Sequence, residues 1–283
     1  MYMCCALVFC LCMMVTGTVH AAGYEIVEDE TGLTGTYKGE PMQNLYVAMK
    51  ESGESYKVVA PGTKGSEIYY FDAEGKGEVS TDSKFVKISY NGKNKEYYLK
   101  DGSIQTNQIV GNKKQGYYYV DSTGIKVTDK TTKLAVKFVR AHTKSTDSRE
   151  SKLKKCYYYL SKKYSYTRYY TNLYPKAKSM QTMAYDMLSK KTGNCHRYAA
   201  SFAYIATVLG YDARVIVGDI SSNHGGMTPH GWTEVKIGKS WYIFDPDMEM
   251  NGVDSYKKTT TPCKTSVTRK CTMKVKNGKV TWK

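Results

Sequence analysis

The chain has 283 residues, with 42 Lys and Arg against 26 Asp and Glu, a formal net charge of +16, and 27 tyrosines beside 6 phenylalanines and 3 tryptophans. That length holds one large or two medium domains, each able to bury a core, and the composition is that of a soluble globular protein. The lysines are scattered among Gly, Ser and Thr, with no arginine-rich stripe and no nucleic-acid motif, which argues against a nucleic-acid partner; an anionic cell-wall polymer suits the surplus, with plain solvated faces as the alternative.

Residues 1–22 contain no Lys, Arg, Asp or Glu and end in Val19-His20-Ala21-Ala22, small residues that suit a signal peptidase. This segment reads as an export signal, so the mature protein is expected to be secreted, extracellular or cell-wall associated. Because no basic residue precedes the apolar run, an uncleaved membrane anchor or a misassigned start stays open, and a membrane is a partner only in the first case. Cys4, Cys5, Cys10 and Cys12 leave with the leader. Of the remaining cysteines, Cys263 and Cys271 can bridge a short C-terminal loop, with Cys156 buried on a helix among Tyr157, Tyr158 and Leu160. No CxxC or HxxxH spacing occurs, so no four-ligand metal site and no cofactor are expected.

Residues 23–128 alternate short strands with Gly, Asp and Asn turns. Ile68-Tyr69-Tyr70-Phe71-Asp72-Ala73-Glu74-Gly75, Glu96-Tyr97-Tyr98-Leu99-Lys100-Asp101-Gly102 and Tyr117-Tyr118-Tyr119-Val120-Asp121-Ser122-Thr123-Gly124 are three versions of an aromatic strand running into an Asp/Gly turn. They resemble the β-hairpin repeats of choline-binding and related Gram-positive cell-wall-binding proteins. The resemblance implies a cell-wall-binding region; a β-rich spacer is the alternative.

From residue 129 the period changes. Leu134, Phe138 and Val139 open a helix, residues 153–166 continue in helical texture with lysines outward, and residues 184–190 form another helical piece that Thr192-Gly193-Asn194 stops. Ala199, Phe202, Ala203, Ala206 and Leu209 then recur at helical spacing up to Gly210, a residue suited to a left-handed helix end. Cys195 falls in the first turn of this helix, where free N–H groups and the macrodipole favour a thiolate. Residues 213–220 read as a strand, 221–229 as a polar loop, and 230–237 and 240–244 as a hairpin about Gly238-Lys239. Antiparallel strands packed on the cysteine helix make an α+β architecture.

The hairpin brings His230 and Asp245 side by side at its open end. An imidazole there can take the thiol proton of Cys195, and a carboxylate can hold the other ring N–H and fix the tautomer. Asp247 competes with Asp245 for the carboxylate role, with the cross-strand register favouring Asp245. His196 is expected on another face of the helix, His224 on the surface, Trp232 packed over the site, and Arg214 in a structural ion pair. The oxyanion hole should include the Cys195 N–H, with Gln181 and Tyr185 as candidates for the second donor.

Gly193-Asn194-Cys195, Gly210-Tyr211-Asp212-Ala213-Arg214-Val215, His230-Gly231-Trp232-Thr233-Glu234-Val235 and Trp241-Tyr242-Ile243-Phe244-Asp245-Pro246 together resemble the transglutaminase-like superfamily. The resemblance covers roughly residues 133–248 and implies a papain-like transglutaminase core, within a catalytic domain expected over residues 129–283 and preceded by the β-hairpin region, with Cys195 as nucleophile, His230 as base and Asp245 as orienting acid. It implies a cysteine hydrolase or acyltransferase acting on amide bonds of a protein or cell-wall peptide, with peptidase or amidase action favoured over transglutamination. A non-catalytic cell-surface binding protein that uses its tyrosine-rich repeats is the competing expectation.

Overall fold

A computed structural model describes residues 19–21, 23–53, 55–168, 172–222 and 224–283. The segment expected to be an export signal therefore lies almost wholly outside the described residues; of it, Val19–Ala21 forms a short strand paired antiparallel with Tyr24–Asp29. Among the described residues, no helix is long and apolar enough to cross a membrane. The chain divides into two compact units, one of residues up to Thr81 with Lys87–Asn94, the other of Asp82–Val86 with Lys95–Lys283. The unit that carries Cys195 thus reaches further back than residue 129.

Among its described residues, the first unit is all β. Strands Tyr24–Asp29, Gly32–Tyr37, Lys76–Val79, Glu67–Phe71 and Leu45–Ser52 lie side by side in that order. Their inward residues, among them Tyr24, Ile26, Val47 and Phe71, make one small core together with Met42. The aromatic segment Glu67–Phe71 ends in a turn closed by Asp72, whose Oδ1 accepts from the backbone N–H groups of Glu74 (3.0 Å) and Lys76 (2.8 Å). Asp121, after strand Gly116–Val120 in the second unit, does the same for Thr123 (2.8 Å) and Ile125 (3.2 Å). The likeness seen in the sequence is therefore a shared turn device: an Asp carboxylate satisfies the donors that a tight turn leaves unpaired. Asp121 is fully buried and its second oxygen accepts from Gly278 N–H at 2.7 Å, so this copy fastens the C-terminal hairpin of its own unit.

In the second unit, helices α1 (Lys130–His142), α2 (Arg149–Lys163), α3 (Met180–Lys190) and α4 (Cys195–Val208) surround and include a buried axis, and a short α5 (Pro246–Met250) follows the strands. Of α4, only Arg197 is not buried; an all-round apolar helix belongs in a core, and α4 packs against α1, α3 and the sheet. Gly210, at φ +83°, ends it: Gly210 N–H bonds to Thr207 and Tyr211 N–H to Ala206, the paired bonds of a left-handed helix terminus.

The sheet comprises β1 (Asp212–Ser221), β2 (Met227–Ile237), β3 (Ser240–Phe244), β4 (Thr265–Lys276) and β5 (Lys279–Trp282), in the order β3-β2-β1-β4-β5, every neighbour antiparallel. The architecture is α+β, with the cysteine-bearing helix on an antiparallel sheet. Two strands at the C-terminus join it beyond what the motif blocks indicate. This also corrects the expected bridge: Cys263 and Cys271 are both free. Cys271 faces the helical core from β4, while Cys263 packs against the separate cluster of Ile216, Trp232 and Ile243, so the two thiols belong to different cores.

Candidate active site

Short elements aim each side chain. Strand Ser165–Tyr166 pairs parallel with Thr192–Gly193, which delivers the chain to the start of α4. Asn194 caps that helix, its side-chain oxygen accepting from Arg197 N–H at 3.3 Å, and Cys195 is the first helical residue. On the sheet side, Thr233 donates a buried hydrogen bond of 2.8 Å to the Ala199 carbonyl and so fixes β2 against α4. His230, three residues earlier on β2, has a ring nitrogen within 4.8 Å of Cys195 Sγ.

Asp245 serves two partners. Its Oδ1 caps α5 by accepting from Met248 N–H at 3.1 Å, and Pro246 supplies the favoured first helical residue. Its Oδ2 accepts from His230 Nε2 at 2.6 Å, which turns Nδ1 toward the thiol. The observed hairpin pairs Ile237 with Ser240 and Thr233 with Phe244, a register that, if continued, would set Asp247 opposite His230. The strand instead ends at Phe244. The turn into α5 brings Asp245 back to Nε2 and leaves Asp247 Oδ2 3.8 Å from Nδ1. Both carboxylates therefore reach one imidazole from opposite sides, and Asp245 holds it by a helix cap rather than by the cross-strand pairing expected.

Cys195 Sγ, a His230 ring nitrogen and an Asp247 oxygen lie within 4.8 Å of one another, all buried. Burial pushes the Cys195 thiol up, but hydrogen bonds from His196 and His230 and the His230 charge outweigh it and bring the thiol down to about 6. Burial likewise opposes the charge on His230, yet the Asp245 charge and hydrogen bond, then Cys195, raise the ring well above its ordinary value. The two shifts describe one thiolate–imidazolium pair. Asp247 is raised to about 7, first by burial and then by the Asp245 charge, with His230 acting the other way.

His196 departs from expectation. Adjacent residues on a helix normally diverge, but here the imidazole folds back over the first turn and its Nδ1 lies 3.5 Å from Sγ. Gly231 makes the space: a Cβ there would fall 2.5 Å from His196 Cδ2. The His-Gly-Trp triplet carries the signal, because a glycine inside a strand marks a close approach. Tyr166 is a further neighbour that the sequence reading did not select. Burial and then the charges of Cys195 and Asp247 raise its phenol to about 12, so it stays a donor. Trp232 stacks beside His230 with ring centroids 6.3 Å apart, and Arg214 pairs with Glu234 at 2.6 Å under the face of Trp241, both as expected. Gln181 is engaged elsewhere, donating to Asp129 at 3.3 Å, and Tyr185 is exposed on α3.

A helix-borne thiolate, an imidazolium and an orienting carboxylate on an α+β core define a cysteine-centred site. Residues 133–246 match the transglutaminase-like superfamily. No curated protein matches the chain. Among solved structures, the chain is similar to a protein from Cytophaga hutchinsonii described provisionally as a cysteine protease, at 19% identity and a TM-score of 0.33, over 54% of this chain and 51% of that one. It is also similar to a structure described as a TGase, at 19% identity and a TM-score of 0.34, over 46% of this chain and 34% of that one. The chain thus spans about half the length of the first and about a third of the second.

Proposed function

We propose that the protein is an exported cysteine hydrolase or acyltransferase that cleaves amide bonds of a protein or cell-wall peptide through a thioester, with a peptidase or amidase outcome favoured over transamidation. The observation that carries this reading is the convergence of Cys195, His230 and Asp245, residues distant in sequence, with the thiol held at about 6. Binding alone requires no such set.

The thiolate adds to the carbonyl carbon, and the oxygen that gains charge meets the Cys195 backbone N–H at the α4 N-terminus. Tyr166, whose phenol is raised to about 12 by burial and then by the Cys195 charge, is the best candidate for a second donor. His230 then gives its Nδ1 proton to the departing amine, leaving the acyl group on sulfur. Asp245 keeps the Nε2 proton in place, so the ring can receive a proton at Nδ1 from the water or amine that resolves the thioester.

Export, and attraction to an anionic wall polymer, are part of the proposal; the uncharged residues 1–22 and the charge of +16 support them. The experiment is mass spectrometry of peptide and peptidoglycan-stem libraries after incubation, with and without a primary amine. New termini or released ammonia without amine gain supports hydrolysis, amine incorporation supports transamidation, and no product that depends on Cys195 contradicts the proposal.

A further inference from the structure

The proposed reaction uses the sulfur, the imidazole and Asp245; it gives Asp247 no part. Yet Asp247 is more than nine-tenths buried, and its Oδ1 has no hydrogen-bond partner. A carboxylate oxygen left so costs free energy unless something compensates it.

The surroundings supply a reason. Cys195 Sγ, a His230 ring nitrogen and an Asp247 oxygen lie within 4.8 Å of one another, and His230 Nδ1 and Asp247 Oδ2 are 3.8 Å apart. Around a tetrahedral zinc ion, bond lengths of about 2.0–2.3 Å place ligand atoms roughly 3.3–3.8 Å apart, so small side-chain rotations suffice to close the set. Thiolate, imidazole and carboxylate are the donors that zinc prefers, and His230 already has the outer partner of a metal-bound histidine, with Nε2 held by Asp245 at 2.6 Å.

We propose that Cys195, His230 and Asp247 form a reversible Zn2+ site that silences the nucleophile, a regulatory role that rests on the reading of Cys195 as the nucleophile. Zinc binds the thiolate, Nδ1 and an Asp247 oxygen and leaves one position for water. On binding, Nδ1 releases its proton to solvent, as does the Asp247 carboxyl where it carries one, so the sulfur lone pair and the proton donor are withdrawn together. Chelation reverses the step with no change in oxidation state.

The test alkylates full-length protein with iodoacetamide at neutral pH and follows the Cys195 peptide by mass spectrometry while zinc chloride is titrated into the micromolar range, after which EDTA is added. Saturating zinc is expected to slow alkylation of Cys195 by about tenfold or more, with recovery on EDTA, and Asp247→Asn is expected to raise the zinc concentration for half-protection by about tenfold or more relative to its own metal-free rate. Cobalt gives a readout independent of any variant's reactivity: Co2+-loaded wild type should show a thiolate-to-cobalt charge-transfer band that Cys195→Ala lacks. Absence of protection at micromolar zinc, or unchanged half-protection in Asp247→Asn, overturns the three-ligand site and leaves the nucleophile assignment standing. Sluggish alkylation of metal-free wild type overturns the nucleophile assignment instead, and the cobalt band then decides the metal site alone.

Discussion

Two imidazoles flank the Cys195 sulfur, and they differ in what holds them. His230 is anchored by Asp245, whereas His196 is wedged above Gly231 with its Nε2 unpartnered. A hydrogen bond to a charged group contributes about 1.5–3 kcal/mol, so His196→Phe should raise the thiol by roughly one to two pH units while the His230–Asp245 pair persists. The pH dependence of Cys195 alkylation in the variant reads that shift; an unmoved midpoint would deny His196 a share in activation. Asp247 supplies a prediction of opposite character. Its carboxyl is raised from 3.8 to about 7, so the folded protein retains a proton that the unfolded chain releases, and stability falls as pH rises from about 4 to about 7. Asp247→Asn removes that loss and should stabilise the protein above pH 7 by on the order of 2 kcal/mol while changing little below pH 4. Thermal melts of both proteins across this range measure it.

At the scale of elements, the start of α4 carries the chemistry, and its cap is a single side chain. Asn194→Ala removes the side-chain acceptor of Arg197 N–H, leaving that donor only the Asn194 carbonyl at 2.9 Å, and should cost about 1 kcal/mol, or roughly 2–4 °C in Tm. A variant as stable as the parent would show that flanking packing alone fixes the turn. This helix was legible in the sequence because Asn194 at its cap, apolar spacing along it and Gly210 at its end all agree. So were His230 and Asp245, although the route to their meeting was not: the sequence suggests that cross-strand register at the end of the return strand sets Asp245 beside His230, while the Asp-Pro pair begins α5. β4 was overlooked even though Cys271, Met273 and Val275 alternate with Lys270, Thr272, Lys274 and Lys276, the pattern of a half-buried strand. Its place beside β1, between distant parts of the chain, could not be read from local pattern. His196 was missed for a related reason, since helical periodicity describes Cβ directions and not a ring folding back into room left by a glycine on another element.

For the whole molecule, charge is the property that no single site explains. Net charge of +16 predicts binding to an anionic wall polymer that weakens steeply with salt, because exposed charges lose their reach as the screening length falls from about 10 Å at 0.1 M to about 3 Å at 1 M. Sedimentation of the full chain with purified cell walls across this salt range tests that; salt-insensitive retention would point to the tyrosine-rich hairpins instead. The central claim is more local and is tested most directly by the pH profile of Cys195 alkylation by iodoacetamide, followed on its own peptide. An ion-paired thiol gives a rate that rises with a midpoint near pH 6 and is flat through neutrality. A rate that keeps climbing through pH 8.5, the behaviour of an ordinary thiol, would contradict an activated nucleophile at this position.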